Sequence, residues 1–168
     1  MTTVADVIER LWVWARIDFD PPHRPPAWWR VLLATVLAIV GSLLTDAALV
    51  VVGTHVFAAT TGYSHFQFAD YAKLTVIGVL IAGAGWPIVT RYCTAPRRLF
   101  FWLAIVVTLV LFLPDLYILW QGESAQAIGV LMVMHVAIAL VTYNLLVHLA
   151  PVRVRAGAEE RRAVDVRL

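Results

Sequence analysis

Asp46, Asp115 and His135 each interrupt a long run of apolar residues. Two carboxylates and an imidazole at hydrocarbon depth can pass a proton, hold a cation or polar ligand, or bond one helix to the next. Lys73, at the edge of another apolar run, and Thr108 and Thr142, on the helical faces of Asp115 and His135, complete a candidate intramembrane polar site. Against this stands a purely structural reading, in which a buried network fixes helix register and the aspartates pair with His135 or Lys73.

Other chemistries lack residues to carry them. His55, His65 and His135 show no HxxxH or HxxE spacing, so no metal site is expected. There is no Ser-His-Asp order, Gly-rich phosphate loop or DxxD-type prenyl-phosphate motif, so the sequence supports no catalytic residue and no cofactor. Cys93 is the single cysteine, which excludes an internal disulfide and CxxC redox chemistry.

The chain that positions these residues is 61% hydrophobic and 14% charged over 168 residues, with a mean hydropathy of +0.81. A soluble domain of that size would expose far too much apolar surface, so the class is integral membrane protein, with the lipid bilayer as its first partner. Four runs, residues 28–52, 71–92, 98–120 and 125–150, reach the roughly 20 residues a spanning helix needs. None alternates polar with apolar residues, which argues against spanning strands. The expected fold is all-α, an integral membrane four-helix transmembrane bundle over residues 28–150 with an N-terminal amphipathic interfacial helix.

That surface helix and a Pro-rich linker occupy residues 1–27. Val4, Val7, Ile8, Leu11, Trp14 and Ala15 recur at helical spacing opposite Asp6, Glu9, Arg10 and Arg16, a pattern suited to lying on a membrane or docking on a partner. Pro21, Pro22, Pro25 and Pro26 then enforce a stiff link. Residues 151–168 form a charged tail, read as frayed or disordered from Val152. Of the 13 basic residues only Lys73 falls outside the segments before span one, between spans two and three, and after span four. Both termini are therefore expected in the cytoplasm, with the chain in the plasma membrane. The basic balance is a topology signal and implies no nucleic acid.

Small and polar residues mark one stripe on each span: Ala34, Ala38, Ser42 and Asp46; Thr75, Gly78, Ala82 and Gly85; Ala104, Thr108 and Asp115; His135, Ala139 and Thr142. Asp46 lies about 24 Å from Arg30, Asp115 about 25 Å from Arg98, and His135 about 15 Å from Ala125 along their helices. The tight 94–96 and 121–124 connections make consecutive helices antiparallel neighbours. The simplest packing is a bundle whose polar interior opens outward. Pro114 should kink span three beside Asp115, and Trp86 is read as a belt residue with Trp12, Trp28, Trp29, Trp102 and Trp120.

Arg97-Arg98-Leu99-Phe100 opening span three, Leu113-Pro114-Asp115 near its end, and Met134-His135-Val136-Ala137 in span four together resemble a family of small actinobacterial four-helix membrane proteins of unknown function. The likeness covers roughly residues 29–151. It implies the four-helix fold and points to Pro114 and His135, but brings no activity with it. The first functional expectation is thus a non-enzymatic accessory or interaction subunit, with a partner membrane protein or a homo-oligomer. The second is a small lipid, proton or cation binding or transport protein with an outward-facing polar pocket.

Overall fold

In the computed structural model the described residues are 23–57 and 67–154, with the isolated positions Val4 and Val13. The expected surface helix and most of the charged tail lie outside them. Within them the order is β1 (His23–Arg24), α1 (Trp28–Val56), α2 (Phe68–Tyr92), α3 (Pro96–Trp120), α4 (Ala125–Leu149) and β2 (Arg153–Val154). All four helices are long and apolar enough to cross a membrane. The chain is an all-α, multi-pass membrane protein.

Local chemistry sets the helix limits. Pro25 and Pro26 keep the chain extended up to Ala27, whose ψ of 137° precedes the first helical turn. The C-terminal end of α1 runs past the hydropathic segment, where Thr54 Oγ1 donates to Val50 O at 2.9 Å and His55 Nδ1 donates to Val51 O at 2.8 Å. Pro96 opens α3 at a position whose amide has no intrahelical partner in any case. At the other end of α3, Gly122 takes φ +98°, while its N–H bonds Leu119 O and that of Glu123 bonds Ile118 O. This Schellman closure turns the chain into α4. The helices continue through Pro87 and Pro114.

The largest interface is between the first and last helices. Gly41 and Gly53 let α1 approach α4: a Cβ on Gly41 would meet Val141 at 3.2 Å, and one on Gly53 would meet Val130 at 3.0 Å. α2 packs on the other side of α1 and α3 on the other side of α4, whereas α2 and α3 share few contacts despite their tight connection. The expectation that consecutive helices are neighbours therefore fails for this middle pair. They meet through Trp86 and Phe100, rings 5.0 Å apart, close to the turn that joins them.

Two further expectations are corrected. Trp86 is no belt residue; it is fully buried and donates to Ala150 O at 2.8 Å. The seam of α2 is Tyr71, Thr75, Val79, Gly83, Trp86 and Thr90, so Thr75 stays on it while Gly78 faces outward. Gly83 makes the close approach, because helical periodicity carries the face of Thr75 and Val79 on to it.

The end of the bundle that carries Arg30, Arg91, Arg97 and Arg98 is clasped. β1 pairs antiparallel with β2, His23 opposite Val154 and Arg24 opposite Arg153. Arg153 Nε donates to Pro25 O at 3.1 Å, and His23 Nε2 to Thr90 O at 3.1 Å. The tail's first residues are thus paired rather than frayed, and residues 23–24 and 153–154 lie together at this basic end.

Candidate functional site

Asp46 sits on the fully buried stripe Ala34, Ala38, Ser42 of α1. Its Oδ2 accepts a 2.8 Å hydrogen bond from Thr75 Oγ1 of α2. Among the described residues no partner meets Asp46 Oδ1, Ser42 Oγ or Thr142 Oγ1, although all three atoms are buried. Ser42 lies one helical turn from Asp46, and Thr142 lies on α4 at the level where Val141 and Leu145 flank Gly41.

Two apolar clusters close this layer. Toward the loop end, Tyr71, Val130 and Met134 pack with Leu49 and Val50. Toward the basic end lie Ala34, Trp86, Phe100, Leu146, Val147 and Ala150. Asp46 itself is 0% exposed. The interior is therefore enclosed and does not open outward as expected, because the aromatic ring of Tyr71 and the side chains of Val130 and Met134 fill the mouth.

Asp115 belongs to a different interface. Its Oδ2 lies 3.1 Å from His135 Nδ1 across α3 and α4, with side-chain exposures of 7% and 20% respectively. Phe112 packs beside His135 at a ring separation of 6.3 Å. Pro114, adjacent to Asp115, cannot donate to the carbonyl one turn back, so the backbone here carries an acceptor without its usual amide.

The expected cluster thus divides into two pairs, Asp46–Thr75 between α1 and α2 and Asp115–His135 between α3 and α4, on interfaces that share no helix. Lys73 joins neither: it is exposed on α2, and among the described residues it forms no ion pair. Thr108 Oγ1 donates to Ala104 O at 2.8 Å and is spent within its own helix. Asn144 and His148 likewise bond the backbone one turn back, at 2.8 Å each. Thr75 was legible as part of a seam but not as a carboxylate partner, and Tyr71 was missed. Its position one turn N-terminal to Thr75 is the signal that identifies it.

Among the described residues no group of three or more His, Cys, Asp or Glu gathers as a metal-ligand set. What the arrangement offers is a close acid–imidazole pair and a separate, oxygen-only polar layer.

Residues 22–151 match the family described as "Family of unknown function (DUF6069)". No curated protein and no solved structure matches the chain. The match covers most of the sequence, including all four helices, and the chain belongs to that family.

Proposed function

We propose that the chain is a small multi-pass plasma-membrane protein that binds and releases a proton at the Asp115–His135 pair. The observation that carries this reading is the 3.1 Å approach of His135 Nδ1 to Asp115 Oδ2 within two apolar helices. An ionisable pair is costly in hydrocarbon and marks proton pathways in membrane proteins. Imidazole is the side chain whose charge changes in the physiological range, and an adjacent carboxylate can accept or return the proton. His135, more exposed than Asp115, is the group through which the proton enters the pair. The clustering of basic residues supports an orientation with the clasped end and both termini in the cytoplasm.

The test is nitrogen NMR of imidazole-labelled protein in lipid nanodiscs. The His135 ring-nitrogen signals should respond to pH, and that response should be altered in Asp115→Asn but not in Lys73→Gln. Imidazole signals that do not respond to pH, or that respond identically in Asp115→Asn, remove the proposal. A C-terminal alkaline phosphatase fusion tests the orientation: it should be inactive, and an active one reverses the topology.

A second reading, an accessory or interaction subunit, draws on α3. Only Pro96, Phe100 and Asp115 of that helix are buried, which leaves a long apolar face suited to lipid or to a partner helix. Native mass spectrometry from its own membranes distinguishes the two. A second polypeptide at fixed stoichiometry supports the subunit role, and a lone chain counts against it.

A further inference from the structure

We propose that the enclosed polar layer between α1, α2 and α4 is an occluded site for a monovalent cation, with Na+ as its simplest occupant, held by Asp46 Oδ1, Ser42 Oγ and Thr142 Oγ1. This site is separate from the Asp115–His135 pair and does not depend on it.

The first support is the state of the hydroxyls. Elsewhere on α1, threonines satisfy themselves on the carbonyl one turn back: Thr35 on Val31, Thr45 on Gly41, Thr54 on Val50. That local bond is the ordinary solution for a hydroxyl in an apolar helix. Ser42 and Thr142 do not use it, and both are buried with their oxygens unpartnered among the described residues. Each such atom is costly in a dry interior, so an occupant that binds oxygen lone pairs is strongly favoured.

Charge gives the second support. Thr75 of α2 donates to Asp46 and Tyr71 of α2 lies within electrostatic reach of it, and neither is cationic. Lys73 is exposed. Thr75 gives its single proton to Oδ2, which leaves Oδ1 with nothing to balance it. A carboxylate isolated in this way needs a counter-charge.

Donor type then selects the ion. All the available donors are oxygens, which suit hard cations and not zinc or copper. One carboxylate with neutral hydroxyls matches a single positive charge, whereas calcium sites draw on several carboxylates and six to eight oxygens. The Tyr71–Val130–Met134 layer on one side and the Trp86–Leu146 layer on the other exclude bulk water, so the ion would be bound largely dehydrated.

The experiment is thermal unfolding of the full chain in detergent micelles, titrated with NaCl against choline chloride at equal ionic strength. Na+ should raise Tm by roughly 5 °C near saturation, as expected for an ion that binds only the folded state. The rise should vanish in Asp46→Asn, shrink in Ser42→Ala and Thr142→Val, and persist in Lys73→Gln. The two hydroxyl variants keep the test decisive should Asp46→Asn fail to fold. Equal responses to sodium and choline overturn the proposal, as does a sodium response unchanged in Ser42→Ala and Thr142→Val. An infrared band of a protonated carboxyl that disappears in Asp46→Asn and ignores Na+ also overturns it, in favour of a buried proton.

Discussion

Gly83 is where α2 comes closest to α1, and adding one carbon there measures how tightly the bundle is held. A Cβ at Gly83 would collide with Thr35 Oγ1 and lie 2.8 Å from Thr35 Cγ2 and 3.2 Å from Thr35 Cβ. Thr35 cannot turn away freely, because its hydroxyl donates to Val31 O at 2.8 Å and the residue is buried. Overpacking of this kind costs about 1–3 kcal/mol, and giving up the hydroxyl bond adds about 1 kcal/mol. Replacing glycine by alanine within a helix returns about 0.5–1 kcal/mol. Gly83→Ala should therefore destabilise by about 1–3 kcal/mol. Gly78→Ala and Gly85→Ala, where a Cβ meets nothing within 4 Å, should be neutral or stabilising. The assay is reversible unfolding in mixed micelles by titration with dodecyl sulfate, read by tryptophan fluorescence. Thr35→Ala removes both of the nearest clashing atoms, so the double variant should recover at least about 1 kcal/mol relative to the sum of the singles. The reasoning is refuted if Gly83→Ala is as stable as Gly78→Ala, or if the two substitutions simply add.

Four other outcomes follow from the same geometry. Trp86→Phe keeps the ring against Phe100 but orphans Ala150 O, and should cost about 1–3 kcal/mol in the same unfolding assay. Gly122→Ala places a Cβ at φ +98° in open space, so its cost of about 1–2 kcal/mol is backbone strain alone, and Gly122→Asn should lose less. Cys93, 1% exposed, should resist maleimide labelling in the folded protein and react fully once unfolded. Asp46→Asn and Asp115→Asn lie on different interfaces and should add within about 0.5 kcal/mol, whereas a larger coupling would mean that the two carboxylates share one site.

The four helices were legible because hydrocarbon length is a one-dimensional property, and the turns are written in single residues such as Pro96 and Gly122. The inward stripe of α1 was legible for the same reason: Ala34, Ala38, Ser42 and Asp46 repeat every four residues and all are buried. α2 misled because two patterns overlap on it. Gly78 and Gly85 look like packing glycines, but the face set by Tyr71, Thr75 and Val79 passes through Gly83. Trp86 misled because tryptophan near a basic end reads as an interface anchor, and only the Ala150 carbonyl shows that its N–H is engaged inside. The β1–β2 clasp, two residues a side, is too short to leave any period in the sequence.

The division of the polar site has a different origin. A stripe on each helix says which residues turn inward but not which helix they meet, and four inward stripes fit several neighbour orders. The order here is fixed by Gly41 and Gly53, which draw α4 against α1, with α2 and α3 on the two outer flanks. Asp46 on α1 then meets Thr75 of α2, while Asp115 on α3 meets His135 of α4. Two carboxylates that look equivalent in the sequence thereby acquire opposite environments. Asp115 is given an ionisable neighbour with which a proton can be exchanged. Asp46 is given hydroxyls alone, which can share an ion but cannot neutralise it. The chemistry proposed for each follows from the helix it faces more than from the residue itself.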